Sequence, residues 1–207
     1  MRLIKKCILV LALMCSTYVQ AGVVEGKDYK LLNPPQPTNS GKKIEVLEFF
    51  FYECPHCYHL QGPLSIWEKK MPKDVELQFV PVIFRDSEEP TARTFYALQT
   101  LGQSARLHKD LFEALNVSNI DLSDEAKITE FVTKHGVDGG KFGMAYNSFS
   151  VQSKITRGNQ MLQSYGVRGT PSIAVDGKYI IIGLQPDETV RVLDEVIALS
   201  RKERNKR

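Results

Sequence analysis

Cys54-Pro55-His56-Cys57 sets two thiols three positions apart, directly after a strongly apolar stretch. Thiols so placed can close an internal disulfide and exchange it with the thiols of other molecules. Exchange needs a thiolate, because a protonated thiol is a poor nucleophile. Pro55 has no N–H to leave orphaned and suits the first turn of a helix, which puts Cys54 at the helix start. Free amides and the helix dipole favour negative charge there. The His56 imidazole can donate a hydrogen bond or carry positive charge nearby. Both effects lower the Cys54 pKa and stabilise the dithiol relative to the disulfide. Cys57, one turn further on, is expected to be more buried and to resolve the pair.

Other uses of the pair fit less well. Zinc commonly takes four ligands, and His56, His59, His108 and His135 supply no recognisable second ligand pair. Attached haem needs histidine after the second cysteine, where Tyr58 stands. A purely structural disulfide across so short a loop would constrain the unfolded chain little.

Two further constellations point to the same chemistry. In Gly169-Thr170-Pro171-Ser172, Pro171 opens a late strand, a position where proline is tolerated. A cis Thr170–Pro171 bond facing the thiols would leave the Thr170 backbone available to an extended substrate; a plain strand boundary is the alternative. Glu48 lies inside the apolar strand that delivers Cys54. A carboxylate there must be paired, solvated or protonated. It is placed to pass protons to and from Cys57, unless it faces water at a strand edge.

The elements that hold these residues can be read from periodicity. Val46 to Phe51 is almost wholly apolar, as in a central strand covered on both faces. Leu60, Leu64 and Trp67 follow at helical spacing, with Pro63 expected to kink the helix. Val75 to Phe84 reads as a second core strand. Residues 88 to 165 look helical throughout, with Leu107, Leu111 and Leu115 forming one stripe and Phe142, Tyr146 and Phe149 another, both expected in the core. Ser123 precedes a helix start, and Gly102 and Gly136 read as helix stops. Asp176-Gly177 between two apolar runs signals a hairpin. A last helix from Asp187 to Arg201 should turn Val190, Leu193, Ile197 and Ala198 inward. The simplest arrangement is one α/β domain interrupted by a helical insertion.

The N-terminus reads as a secretory leader over residues 1–21: Arg2, Lys5 and Lys6, then the short apolar run Ile8 to Met14, then Val19-Gln20-Ala21 as a cleavage site. The run is too short to span a bilayer. A lipid anchor on Cys15 is disfavoured by Met14, where a small residue is expected. Cleavage after Ala21 would remove Cys7 and Cys15 and leave Cys54 and Cys57 as the only thiols of a chain of about 186 residues. The whole sequence has 27 Lys plus Arg against 24 Asp plus Glu. Since the leader holds three of the bases and none of the acids, the exported chain is balanced and no pull toward nucleic acid follows. The basic tail from Arg201 to Arg207 reads as a solvated helix end. Export also explains why working or paired cysteines are expected.

Together, the leader, Val46-Leu-Glu-Phe-Phe50, Cys54-Pro-His-Cys57-Tyr58, the helical middle and the Gly-Thr-Pro before a hairpin resemble the DsbA family of bacterial periplasmic thiol:disulfide interchange proteins. The resemblance implies a thioredoxin fold over residues 22–84 and 156–207, with an all-helical insertion over 85–155. It implies a monomer without metal or cofactor that donates disulfides to unfolded or partly folded exported proteins with free cysteines. A quinone-linked membrane oxidase of the DsbB type would recharge it. By position, Cys54 is the attacked cysteine, Cys57 its partner, Pro55 and His56 the intervening pair with His56 the main tuning residue, Pro171 the cis proline, and Glu48 the buried acid beneath the site. Two positions depart from the better-known enteric members: Phe79 stands where they carry lysine, and Thr170 where they carry valine. The competing functions are a disulfide isomerase or reductase of the same fold, and an exported peptide-binding or chaperone module with incidental thiols. No spare segment is long enough for the dimerisation domain that isomerases of this fold usually carry.

Overall fold

The computed structural model describes residues 22–206. The expected leader, with its cleavage site after Ala21 and with Cys7 and Cys15, lies outside the described residues. Among them, five strands form one mixed sheet in the order β1-β5-β4-β2-β3. The strands are β1 (Lys30–Leu31), β2 (Ile44–Phe50), β3 (Val75–Pro81), β4 (Ser172–Val175) and β5 (Tyr179–Ile182). The helices are α1 (Pro55–Glu68), α2 (Glu89–Thr100), α3 (Ser104–Asn116), α4 (Glu125–Lys134), α5 (Gly139–Tyr146), α6 (Phe149–Ser164) and α7 (Pro186–Arg204). Five of them, α2 to α6, fall between β3 and β4 in the chain. This is a thioredoxin-like fold.

The centre of the sheet is β2, all of whose seven residues are buried. A nearly continuous apolar run survives there because helices cover both faces. Ile44 and Val46 pack with Leu60, Leu64 and Trp67 of α1 and with Val192, Leu193, Val196 and Ile197 of α7. Leu47 and Phe49 point to the other face, against Leu162 of α6 and Tyr165. β2 runs parallel to β3, with Glu48 opposite Phe79, and antiparallel to β4, with Glu48 opposite Ile173. The parallel pair needs a crossover, and α1 supplies it.

Local chemistry fixes the boundaries. Asp124, Asp138 and Ser148 cap α4, α5 and α6 by accepting main-chain N–H bonds at 2.9, 2.9 and 3.2 Å. Gly102 and Gly136 follow α2 and α4 with φ of 67° and 80°, the left-handed conformation that ends helices. At the β4–β5 turn, Asp176 and Gly177 have φ of 54° and 63°, and the Lys178 N–H donates to the Val175 carbonyl at 3.0 Å. A side chain at position 177 would lie 2.0 Å from the Gln36 carbonyl, so only glycine fits.

Several local expectations are corrected. Asp124, one residue later than Ser123, is the cap of α4. The second strand ends at Pro81 instead of Phe84. Phe149 is 86% exposed, whereas Phe142 and Tyr146 are buried. Phe149 is the first residue of α6, so no further turn lies beneath it. In α7 the buried face is Thr189, Val192, Leu193, Val196, Ile197 and Ser200; Val190 is half-buried and Ala198 exposed. The helix also runs a turn further than expected. Its basic end is tied down by Arg201 on Asp74 (2.7 Å) and by Arg204 on Asp176 and the Lys42 carbonyl (2.7 Å).

Candidate active site

Strand β2 ends at Phe50, and two turns of backbone direction bring the chain into α1. The Cys54 N–H donates to the Phe51 carbonyl at 3.1 Å. Cys54 is then the N-cap of α1, with extended backbone and its sulfur in the place of the usual capping oxygen; Pro55 occupies the first turn. The Cys57 N–H donates to the Cys54 Sγ at 3.3 Å. Cys54 retains 4% of its surface and Cys57 none, both as free thiols. Pro55 and His56 are exposed.

This environment favours charge on the outer sulfur. The Cys54 pKa is drawn down to about 6, first by the Cys57 thiol hydrogen bond, with Thr170 and the Cys57 and His56 main-chain amides also contributing; burial opposes them. His56 therefore acts on the sulfur through its amide, while its imidazole is open to solvent. The same pairing and complete burial push Cys57 well above its ordinary value, burial being the larger cause. One sulfur is poised as an anion and the other is held as a thiol.

The Gly-Thr-Pro segment lies against the pair. The Thr170–Pro171 bond is cis. The Thr170 Oγ1 donates to the Cys54 Sγ at 3.3 Å, and the Thr170 carbonyl sits 3.5 Å from the same sulfur. Pro171, half-buried, leads directly into β4. Residues from the beginning of α1 and from the entry to β4 thus meet because β4 is the antiparallel neighbour of β2.

Glu48 is fully buried beneath the site. Burial raises its carboxyl to about 8, Cys54 and Glu68 add to the rise, and a hydrogen bond from Gln61 opposes it. Among the described residues no lysine or arginine is paired with Glu48, and its neighbour in the β3 register is Phe79. The Gln61 Nε2 donates to Glu48 Oε1 at 2.9 Å and to the Cys57 carbonyl at 3.3 Å. Glu48 Oε2 is buried without a hydrogen-bond partner.

Sequence reasoning missed Gln61. Its signal was present: it stands four residues after Cys57, so the two share a helix face. It also missed how the loop into Cys54 is tethered to the helices. The Asn116 Nδ2 donates to the Tyr52 carbonyl at 2.7 Å, the Tyr52 hydroxyl meets His108 Nδ1 at 2.9 Å, and the Thr91 hydroxyl donates to Glu53 at 2.9 Å. His108 lies among Phe50, Phe79, Phe95 and Phe112, where burial pushes its pKa down to about 3 and keeps it neutral. The thiols, the cis proline, Thr170, Glu48 and Gln61 form one continuous site. It can hold a thiolate at the helix start, a thiol one turn on and a protonatable carboxyl close by.

Comparison with known proteins follows the same lines. Residues 74–192 match the family model described as a DSBA-like thioredoxin domain, more than half of the chain. The thiol:disulfide interchange protein DsbA of Burkholderia cepacia is 38% identical over 160 residues, covering 77% of this chain and 76% of its own. That of Bordetella pertussis is 36% identical over 180 residues, covering 85% of this chain and 86% of its own, a stretch long enough that it must include Cys54 and Cys57. Among solved structures, DsbA of Pseudomonas aeruginosa superposes with a TM-score of 0.84 at 31% identity, covering 88% of this chain and 97% of that one. The oxidoreductase DsbA of Xylella fastidiosa gives 0.82 at 30% identity, over 87% and 98%.

Proposed function

The chain belongs to the DsbA family of thiol:disulfide interchange proteins, and from that premise we propose that it gives its Cys54–Cys57 disulfide to newly exported proteins as they fold. It is a thiol:disulfide oxidoreductase. The observation that carries the direction of transfer is the asymmetry of its two sulfurs: Cys54 drawn down to about 6 at a helix start, Cys57 buried and pushed up. A stabilised Cys54 thiolate favours the dithiol form, which makes the disulfide a ready acceptor of electrons.

The reaction proceeds in two exchanges. A substrate thiolate attacks the Cys54 sulfur, forming a mixed disulfide and releasing Cys57 as a thiolate. Cys57 takes up a proton, which the buried Glu48 carboxyl, close enough to act on the Cys57 sulfur, is placed to relay. A second substrate thiolate then attacks the substrate sulfur of the mixed disulfide. Cys54 leaves as its stabilised thiolate, and the substrate departs with a new disulfide. Of the two protons lost by the substrate thiols, one ends on Cys57 and one in solvent. Thr170 and the amides after Cys54 hold the leaving sulfur; His56 and Pro55 set the helix start, and Pro171 flanks the sulfur where an extended substrate would lie.

The wider setting belongs to the same proposal. Residues 22–84 and 156–207 make the thioredoxin-like unit and 85–155 the helical insertion; α2 to α5 and the first turns of α6 support this, while the later part of α6, with Leu162, packs on β2. The site of action is the periplasm after cleavage at Ala21, which fits the leader-like sequence; among the described residues no helix is long and apolar enough to cross a membrane. The substrates are unfolded or partly folded proteins with free cysteines, and a quinone-linked membrane oxidase of the DsbB type restores the disulfide. The protein acts as a monomer. The test is oxidative refolding of a reduced, disulfide-containing substrate by stoichiometric oxidised protein. Substrate disulfides are expected to form with the wild-type chain and to be lost with Cys54→Ser. A peptide-binding module would retain its effect in that variant, contradicting the proposal.

A further inference from the structure

We propose that Gln61 is a positioning residue for proton exchange between Glu48 and Cys57, holding one carboxyl oxygen so that the other is left to exchange the proton; this rests on the exchange chemistry proposed above. One amide group, Gln61 Nε2, spans both partners: Glu48 Oε1 at 2.9 Å and the carbonyl of Cys57 itself at 3.3 Å. It therefore ties the carboxyl to the backbone of the residue that must gain and lose the proton. The carboxyl cannot rotate without breaking that bond, and its free oxygen, Oε2, is the buried atom with no partner. A buried polar atom left unsatisfied costs stability, so one that is retained calls for an explanation such as a role in proton transfer. A proton carried on Oε2 makes it a donor toward its surroundings, while Oε1 keeps its bond from Gln61 in either protonation state.

The neighbours leave Gln61 as the only hydrogen-bond donor to the carboxyl among the described residues. The groups that act on Glu48 are Cys54 at the start of α1, Gln61 and Glu68 further along α1, and Cys57 and Tyr52, on which Glu48 acts in turn. From β3 and β4 the residues in register are Phe79 and Ile173, which carry no charge. Gln61 also stands on the wall of a groove of about 860 Å3 that is shared with Tyr58, Leu64, Glu68, Phe79 and His108. Glu48 does not line that groove. The amide of Gln61 thus lies between the buried carboxyl and the groove.

Gln61→Met preserves length and removes the donor. Glu48→Gln removes the proton-carrying group. The rate of reduction of the Cys54–Cys57 disulfide by a small dithiol is measured against pH for the wild type, both single variants and the double variant. Glu48 is titrated separately in the reduced protein by carboxyl-carbon NMR. Losing a bond to the charged form should move the Glu48 midpoint in Gln61→Met upward by about one pH unit, with the rate profile displaced in the same direction. In the Glu48→Gln background the same change at position 61 should add nothing, because Gln61 acts through Glu48. Unchanged Glu48 and rate profiles in Gln61→Met would overturn the proposal, as would effects that add in the double variant. If the wild-type protein proved unable to oxidise substrate thiols, the family function would fall, whereas the NMR midpoint and the additivity would still decide the role of Gln61.

Discussion

Thr170 and Cys54, 116 positions apart in the chain, meet at one sulfur: the threonine hydroxyl donates to it at 3.3 Å, and the threonine carbonyl lies 3.5 Å away. The bond lowers the Cys54 pKa alongside the larger effect of the Cys57 thiol. It belongs to the reduced state, where the sulfur carries charge, so it alters the balance between dithiol and disulfide as well as acidity.

Replacing Thr170 with valine keeps the shape and removes the donor. The midpoint for Cys54 ionisation should rise by about one to two pH units, the usual worth of one bond to a charged group. The disulfide should become a weaker oxidant in step. Acid titration of thiolate absorbance in the reduced protein measures the first effect, and an unmoved midpoint would contradict it.

Stability of the reduced protein should depend on pH through two opposing groups. Cys54 falls from an ordinary value of 9.0 to about 6, so its contribution is full above 9 and is lost as pH falls through 6. Glu48 rises from 4.5 to about 8, so its contribution is full below 4.5 and is lost as pH rises through 8. Between about 6 and 8 the two slopes oppose each other, and each group alone would change stability by about 1.4 kcal/mol per pH step there. Glu48→Gln should therefore gain stability relative to the wild type as pH rises from 4.5 to 8. Denaturant melts at stepped pH measure this, and parallel curves for the two proteins would refute it.

His108 makes the fold acid-sensitive. Its pKa falls from 6.5 to about 3 on burial among aromatic rings, so its contribution is full above 6.5 and is lost as pH falls toward 3. Phenylalanine keeps an apolar aromatic ring among its neighbours but lacks the bond to the Tyr52 hydroxyl. His108→Phe should be less stable than the wild type at pH 7 by about 1 kcal/mol. The gap should narrow or reverse by pH 4, as read from unfolding midpoints across that range; a constant gap would rule the titration out.

The candidate site residues were legible because their types are rare in such positions. Cysteines flanking Pro-His after an apolar strand, and a glutamate within that strand, stand out against their surroundings. Asp176-Gly177 was legible because left-handed backbone narrows the choice of residue. Gln61 was legible only in part: its spacing puts it on the helix face of Cys57, but its pairing with Glu48 follows from how α1 packs on β2. The exposure of Phe149 and Ala198 and the burial of Val192 and Val196 were not legible either. Periodicity marks an apolar stripe but does not say where neighbouring elements stop covering it. His108 and Asn116 bond a loop more than fifty positions away, which no local pattern encodes.

The most direct test of the account is the redox equilibrium of the Cys54–Cys57 pair with glutathione, the dithiol fraction being read after acid quenching and thiol labelling. A thiolate stabilised as described should leave the protein almost wholly reduced while most of the glutathione is still oxidised. Persistence of the Cys54–Cys57 disulfide in a large excess of reduced glutathione would contradict the account.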